Sequence, residues 1–197
     1  MNAASAPLVL LFGPSGVGKT TLAHVLNQAL RMLHIDLDQW GQSGIDAAAL
    51  RPEWNALHRD LLPDAFACAL RRRAADTGHA GAVASFPSFA VLPAAAIEAA
   101  SRQGLSTVIL YGTVSECLDA FLRREVASRR GLDAGFWYQQ NAAMLAAYAR
   151  PEYAAFRVSA FDRGVRRSSE DLVSEVLCRA IGEPASRLAR LRTSGAG

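Results

Sequence analysis

Apolar residues along the chain fall into two patterns that alternate from the N-terminus onward. The first pattern is a continuous run, Leu8-Val9-Leu10-Leu11-Phe12, which ends at a glycine and is typical of a central parallel strand buried on both faces. The second pattern begins near Thr20, where apolar residues recur at helical spacing to about Leu33 and predict one apolar helix face. The N-terminal part is therefore predicted to be a strand, a glycine-containing loop and a helix.

The same alternation continues through the rest of the chain. Further strands are predicted near residues 32–35, 81–86, 106–111 and 156–161. Helices are predicted over much of residues 47–75, with breaks at Pro52 and Pro63, and over 93–103, a stretch after Ser115, 136–149 and a stretch after Ser168 or Ser169. Alternating strands and helices predict an α/β fold, a doubly wound five-stranded parallel sheet with helices on both faces. Ligands then bind beyond the carboxyl ends of the strands.

Length and composition agree with one globular domain. The chain has 197 residues, of which 51% are hydrophobic and 20% charged, close to the average for folded domains. Residues 1–182 are predicted to form this domain, and the polar, glycine-containing stretch 183–197 is expected to fray. We expect a cytoplasmic protein, because no apolar run reaches the length of a membrane span and residues 1–6 lack the features of a secretory signal.

The cysteines and basic residues narrow the chemistry. Cys68, Cys117 and Cys178 are far apart and odd in number, which argues against a disulfide framework or zinc site and predicts small core residues. The net charge of +3 fits a pocket for a polyanionic nucleotide as well as it fits nucleic acid. Twenty of the 21 basic residues are arginines, and the single lysine is Lys19, a slim point charge suited to reaching between phosphates.

Lys19 lies in a glycine-rich stretch, residues 13–20, which we call the phosphate loop. Its sequence, Gly13-Pro14-Ser15-Gly16-Val17-Gly18-Lys19-Thr20, matches the pattern G-x-x-x-x-G-K-T between a predicted strand and a predicted helix. The glycines let successive backbone N–H groups point at one anion, and the helix start adds its positive dipole end. Lys19 is expected to bridge the outer phosphates and the Thr20 hydroxyl to ligate Mg²⁺. The predicted nucleotide contacts are Gly13, Ser15, Gly16, Val17, Gly18, Lys19, Thr20 and Thr21.

Two aspartates follow the second predicted strand. Asp36 and Asp38 are two residues apart, so their side chains are expected on the same side, towards the phosphate loop. One carboxylate could hold the water shell of Mg²⁺ while the other accepts a proton from an acceptor hydroxyl. The alternative is a solvated turn before Gln39.

A cluster of arginines follows the fourth predicted strand, at Arg123, Arg124, Arg129 and Arg130. These side chains form either a solvated helix face or a basic lid that covers the phosphates and stabilises charge in the transition state. Arg150, directly before Pro151, is a second candidate for contact with an anion.

In these features the chain resembles the shikimate kinase-like branch of the small P-loop kinases, a group that includes gluconate kinase and is related to nucleoside monophosphate kinases. The resemblance spans about residues 8–181. It rests on the phosphate loop, on Asp36-Leu37-Asp38, on a lid position at about residues 123–136, and on Arg150-Pro151-Glu152-Tyr153.

The resemblance implies ATP with Mg²⁺, a carboxylate base and a closing lid. It assigns the metal side to Asp36 with Thr20, and the base to Asp38. The catalytic set is then completed by Lys19, Arg124 and Arg130, and the stretch 162–167 takes the position of an adenine-side loop, which makes Arg166 and Arg167 nucleotide contacts. Acceptor contacts are expected from Asp38, Arg59, Ser85 and Arg150.

Two departures from that family bear on the acceptor. Shikimate kinases have a glycine triplet after the third strand, whereas this chain has Ser85-Phe86-Pro87-Ser88. The lid position also lacks the arginine-proline-leucine sequence usual in that family and contains Gly131-Leu132-Asp133-Ala134-Gly135. An acceptor other than shikimate is therefore expected.

The predicted function is transfer of the γ-phosphoryl group of ATP to a hydroxyl of a small metabolite. One alternative is a nucleotide-binding or nucleotide-hydrolysing regulatory protein. A second is a kinase acting on the 5′ hydroxyl of a polynucleotide, which the absence of a dense basic stripe disfavours. No membrane partner is expected, and the chain is expected to be a monomer or a homodimer. The pattern names neither the acceptor nor the catalytic lid arginine.

Overall fold

A five-stranded parallel sheet forms the centre of the molecule in the computed structural model, which describes residues 6–37, 48–86, 91–127 and 133–181. Its strands are β1 (Leu8–Phe12), β2 (Met32–Asp36), β3 (Gly81–Ser85), β4 (Leu105–Tyr111) and β5 (Arg157–Ser159). Their order across the sheet is β2-β3-β1-β4-β5. The predicted doubly wound five-stranded sheet is confirmed.

The strand order creates a crevice beside β1. The chain leaves β1 towards β2 at one edge, and it later passes from β3 to β4 on the other side of β1. Connections that leave neighbouring strands in opposite directions open a crevice beyond the carboxyl ends of those strands. The phosphate loop follows β1 directly, so the fold places it at this crevice.

Helices cover both faces of the sheet. They are α1 (Lys19–Leu30), α2 (Arg51–Asp60), α3 (Pro63–Asp76), α4 (Ala94–Arg102), α5 (Val114–Ala127), α6 (Ala134–Tyr148) and α7 (Ser169–Ile181). Short 3-10 helices occupy Ala48–Leu50 and Pro151–Phe156. Prolines stand at the first turn of α2 and α3, where the missing N–H costs no hydrogen bond.

Alternation along β1 divides the core between the two faces. Leu8, Leu10 and Phe12 pack with α2, α3, α4 and α6 in one cluster, and Val9 and Leu11 pack with α1 and α7 in the other. All five side chains of β1 are buried, because successive side chains of a strand point to opposite faces and both faces are covered. The strand that carries the phosphate loop is thus enclosed on both faces.

Polar side chains cap the N-termini of two helices and so fix where these helices begin. Thr113 and Glu116 form a reciprocal capping box before α5: Glu116 N donates to Thr113 Oγ1 at 3.2 Å, and Thr113 N donates to Glu116 Oε2 at 2.7 Å. Ser115 was expected to cap this helix, and that prediction was wrong, because the cap lies two residues earlier, at Thr113. Ser168 caps α7, accepting from Asp171 N at 3.1 Å.

A short hairpin after β5 was not predicted as a separate element. Its strands, β6 (Phe161–Asp162) and β7 (Val165–Arg166), pair antiparallel around Gly164, which has φ 81°. The prediction of one strand over 156–161 was wrong at its end, because the chain leaves the sheet after Ser159. The hairpin brings Arg166 back towards the phosphate loop.

The three cysteines differ in burial. Cys117 is buried in α5, whereas Cys68 and Cys178 are exposed, so the prediction of three core cysteines was correct for one of them.

Within the described ranges, each helix is either too short or too polar to cross a lipid bilayer.

Candidate functional site

The phosphate loop turns from β1 into α1 through glycines in unusual backbone conformations. Gly16 has φ 82° and Gly18 has φ 100°, values in the left-handed region that favours glycine. Gly18 is the N-cap of α1 and has no side chain with which to cap the helix. The first backbone N–H groups of α1 have no partner within the helix, so an anion at this end can accept them.

Lys19 crosses back over the loop from the first turn of α1. Its side chain is only 7% exposed, and Nζ donates to Gly13 O at 2.7 Å and to Pro14 O at 3.2 Å. Two carbonyl oxygens therefore hold the ammonium group at the loop. A buried cation at the mouth of the crevice attracts an anion more strongly than an exposed one, because solvent screens it less.

Thr20, Thr21 and Val17 complete the predicted phosphate site. Thr20 is half-buried in the first turn of α1, Thr21 is exposed, and Val17 is buried in the core. Val17 can offer only its backbone to a ligand. The hydroxyl of Thr20 lies at the same helix end as Lys19, which fits a Mg²⁺ ligand beside bound phosphates.

Two helices press against the crest of the loop from outside. A Cβ atom on Gly16 would overlap the carbonyl oxygen of Cys117 and lie 2.7 Å from the backbone N of Phe121, both in α5. From α6, Asn141 Oδ1 accepts from Ser15 N at 2.9 Å, and Asn141 Nδ2 donates to Ser15 O at 3.1 Å. The contact of Asn141 was not predicted, since one asparagine 126 residues away gives no local signal.

The environment of Cys117 shows that two cations converge on the loop. Burial raises the pKa of the Cys117 thiol to about 12, with a further increase from Glu116, while Lys19 and Arg166 act in the opposite direction. Both cations are therefore close enough to act on the same sulfur. The thiol itself stays neutral at physiological pH.

Arg166 reaches the loop from the hairpin after β5. A Cβ atom on Gly18 would overlap the Arg166 guanidinium, Nη2 being the nearest atom, so only glycine allows this approach. Arg166 also lines an open cavity of about 540 Å³ between the hairpin and the start of α7. The other residues around this cavity are Ser159, Phe161, Asp162, Val165, Arg167 and Asp171.

Arg167 lines the same cavity but has partners of its own. Its Nη1 donates to Glu175 Oε2 at 2.6 Å and to Ser159 O at 2.9 Å. Arg167 thus ties the hairpin to α7 and to the end of β5. Of the two arginines that were predicted as nucleotide contacts, Arg166 is the one that touches the phosphate loop.

Asp36 lies at the carboxyl end of β2, beside Ser85 at the end of β3. These two residues are register partners in the parallel sheet, and Ser85 Oγ donates to Asp36 Oδ1 at 3.4 Å. His34 Nε2 lies 3.0 Å from the same Ser85 Oγ. The buried Ser85 hydroxyl therefore orients the Asp36 carboxylate from within the sheet.

His34 favours its neutral form in this position. Burial lowers its pKa, and the nearby His24 lowers it further, while Asp36 acts in the opposite direction. The rings of His24 and His34 are 5.1 Å apart. A neutral His34 with its proton on Nε2 can donate to Ser85, which leaves the Ser85 proton for Asp36.

Arg150 lies just after α6, at the start of the 3-10 helix Pro151–Phe156. It is exposed, pairs with Glu152 at 3.0 Å, and its Nη2 donates to Tyr153 OH at 3.3 Å. Tyr153 OH in turn donates to Leu92 O at 3.1 Å, and Tyr148 OH accepts from Leu92 N at 3.2 Å. Two buried tyrosines thus hold the chain at Leu92, just after residues 87–90.

The remaining predicted residues are less closely tied to the loop. Arg124 lies one turn beyond Phe121 in α5 and donates to Glu125 Oε1 through Nη2 at 2.6 Å. Arg59 is exposed in the last turn of α2. Asp38, Arg130 and the part 128–132 of the predicted lid lie outside the described residues.

Among the described residues, Thr20 and Asp36 offer oxygen groups of the kinds that Mg²⁺ prefers. A hydroxyl and a carboxylate are ligand types that Mg²⁺ prefers, and it commonly completes its shell with phosphate oxygens and water. Asp36 is half-buried at the same edge of the sheet as the phosphate loop. These residues fit such an ion.

Sequence comparisons find no match for the chain. No protein-family model matches it, and no curated protein matches it significantly.

Solved structures do resemble it in fold. A gluconokinase from Sinorhizobium meliloti superposes with a TM-score of 0.50 at 16% identity, over 98% of this chain and 99% of that chain. The tunicamycin resistance protein of Deinococcus radiodurans gives a TM-score of 0.50 at 18% identity, over 88% and 94%. A shikimate kinase from Acinetobacter baumannii gives 0.49 at 18% identity, over 91% and 95%. The match to the gluconokinase, at a TM-score of 0.50, supports the fold of the small P-loop kinases for this chain, as its sequence resemblance predicted.

Proposed function

We propose that this protein is an ATP-dependent phosphotransferase that transfers the γ-phosphoryl group to a hydroxyl of a small metabolite. One observation above all supports the proposal. Lys19, the single lysine of the chain, is buried at a glycine-rich loop that ends in an uncapped helix N-terminus, and this is the arrangement that binds nucleotide phosphates. The fold shared with a gluconokinase supports the kinase class.

The phosphates would bind between the loop and the two cations that converge on it. Backbone N–H groups at the start of α1 would hold phosphate oxygens, and Lys19 would exchange its bonds to Gly13 O and Pro14 O for bonds to phosphate. Arg166 would contact the phosphates from the side of the cavity of about 540 Å³, which it also lines. We propose that this cavity takes the base and ribose of the nucleotide.

Asp36 would act at the opposite end, where the γ-phosphoryl group meets its acceptor. Ser85 and His34 orient the carboxylate, so little rearrangement is required when substrates bind. Mg²⁺, held by Thr20 and Asp36, would supply positive charge that neutralises the phosphate oxygens. The resemblance assigns the acceptor proton to Asp38, and Arg124 and Arg130 remain candidates for stabilising the transferred group.

The acceptor would lie between β2, α2 and the start of α4. Arg59 and Arg150 are exposed cations, and both were predicted to contact the acceptor, which favours an acceptor that bears a negative charge as well as a hydroxyl. A small hydroxylated metabolite fits this description better than a polynucleotide, which would require a continuous basic surface.

A screen of hydroxylated metabolites for ADP release tests the proposal. A kinase has a low background rate of ATP consumption that rises with the correct acceptor. A nucleotide hydrolase releases ADP at a rate that no hydroxyl compound changes. Including an oligonucleotide with a free 5′ hydroxyl in the same screen tests the polynucleotide alternative, which predicts stimulation by that compound alone.

A further inference from the structure

Asn141 makes an unusual contact for a residue in the middle of a helix. Its side chain is fully buried, and its amide bonds to both backbone groups of one residue: Oδ1 accepts from Ser15 N, and Nδ2 donates to Ser15 O. A pair of bonds to the N–H and C=O of one residue fixes the peptide groups on both sides of it. The crest of the phosphate loop is therefore held in one orientation.

We propose that Asn141 is a positioning residue, which keeps the crest of the phosphate loop in its phosphate-binding geometry and links it to the packed pair α5 and α6. The inference rests on the proposed function, since it assigns Asn141 to the same nucleotide site. It concerns affinity for the nucleotide, with no part for Asn141 in bond making or breaking.

The glycine content of the loop explains the need for such a residue. Gly16 and Gly18 give the loop its shape but also more conformational freedom than other residues would. A loop that becomes ordered only when its ligand binds loses conformational entropy at that moment, and this loss lowers the affinity for the ligand. Because Asn141 restrains Ser15 in the folded protein, the loss occurs on folding and the affinity for phosphate is preserved.

The link to α5 follows from packing between the two helices. Trp137 precedes Asn141 by one helical turn, and its ring lies 4.7 Å from the ring of Phe121 in α5. The backbone N and the Cβ of Phe121 lie so close to Gly16 that a Cβ atom on Gly16 would clash with them. Ser15 and Gly16, neighbours at the crest, are thus each held by one member of a packed helix pair.

The variant Asn141→Ala tests the proposal through direct binding of ADP, measured by calorimetry well below Tm. Ser15 is itself buried, so the change leaves its N–H and C=O without these two partners. We expect ADP affinity to fall about tenfold, as for the loss of one or two buried hydrogen bonds. Amide exchange in the peptide containing Ser15 should also become faster.

The matched control is Asn27→Ala. Asn27 is a partly buried asparagine in α1 whose Nδ2 donates to the backbone O of Met32 at 2.7 Å. Its loss also removes a bond from side chain to backbone, so it should lower Tm in the same way. A purely structural role for Asn141 predicts that both variants lower Tm and neither changes ADP affinity, and that result would overturn the proposal.

A second variant, Asn141→Asp, keeps the test decisive if Asn141→Ala does not fold. The aspartate preserves the size of the side chain and the acceptor for Ser15 N, but it places an oxygen opposite Ser15 O. We expect ADP affinity to fall by at least as much as in Asn141→Ala, and wild-type affinity would contradict the proposal. A wild-type protein that binds no ADP would instead contradict the proposed nucleotide site itself.

Discussion

At the scale of single residues, the site depends on polar groups that are already held before any ligand binds. Lys19 is held by two carbonyl oxygens and Asp36 by the Ser85 hydroxyl. Groups that are fixed in this way lose little entropy when a substrate arrives, and their charge acts in a partly desolvated environment. The same contacts make conservative substitutions informative, because each removes one function and keeps the shape.

Asp36→Asn keeps the size of the side chain and removes its charge. If Asp36 faces the metal, turnover should fall by about 10–100-fold and require more Mg²⁺, while ATP affinity stays within several-fold of wild type. Steady-state kinetics across a range of Mg²⁺ concentrations, together with ATP titrations, measure both effects once an acceptor is known.

Ser85→Ala is the matched variant for Asp36→Asn. It removes the donor to Asp36 at 3.4 Å but leaves the carboxylate, so turnover should fall by much less. Near-normal turnover of Asp36→Asn with the true acceptor would mean that Asp36 is only a solvated residue at a strand end.

At the scale of elements, α5 has a special position because it both packs on the phosphate loop and begins with a defined capping box. Thr113 and Glu116 exchange hydrogen bonds at its start. One and two turns later, Cys117 and Phe121 pack closely against Gly16. The stability of the first turn of α5 is therefore connected to the geometry of the loop.

Thr113→Ala should lower the free energy of unfolding by about 1 kcal/mol, the usual cost of losing a threonine N-cap. Urea denaturation followed by circular dichroism measures this change. Ser115→Ala is the control, because Ser115 is exposed and lies inside the helix, and it should change the free energy by less than about 0.5 kcal/mol. Equal losses in the two variants would contradict the assignment of Thr113 as the cap.

The elements also show what could be predicted from sequence. Strand β1 is a continuous apolar run and helix α1 has apolar residues at helical spacing, so their existence and type were predictable. The cap of α5 had a sequence signal, a threonine three residues before a glutamate, but Ser115 offered a competing one. The hairpin β6–β7 has strands of two residues each, too short for any periodicity.

The site was predictable where it is local in sequence and not where it depends on distant contacts. The phosphate loop is one continuous segment, so its residues and its place after a strand could be predicted from sequence alone. The contact of Asn141 with Ser15 joins residues 126 positions apart. An asparagine within a helix does not by itself indicate a contact with a distant loop. The partnership of Asp36, Ser85 and His34 likewise depends on the pairing of β2 with β3.

At the scale of the whole molecule, the strand order brings three separate parts of the chain to one crevice. The phosphate loop follows β1, Asp36 ends β2, and the hairpin with Arg166 follows β5. Arg166 is exposed and spans the distance between the cavity and Gly18. It can therefore be removed with little effect on folding, which makes it a good probe of how the nucleotide lies.

Arg166→Ala should lower affinity for ADP about tenfold, a typical loss for one charge-assisted hydrogen bond to phosphate, while Tm without ligand is unchanged. The control is Arg163→Ala, in the turn of the same hairpin, which removes an equal charge three residues away and should leave affinity almost unchanged. Equal losses in the two variants would indicate a general effect of charge and argue against a direct contact of Arg166 with the phosphates.

The destination of the γ-phosphate tests the central claim most directly. ATP labelled at the γ-phosphate is incubated with the protein and a mixture of hydroxylated metabolites, and the products are separated into organic phosphate and inorganic phosphate. Lys19→Met, which keeps the buried aliphatic stem and removes the charge, is the matched variant. We predict that wild type moves the label into an organic phosphate in equal amount to the ADP formed, and that folded Lys19→Met does not. Label found only in inorganic phosphate, or wild-type transfer by folded Lys19→Met, would contradict the account.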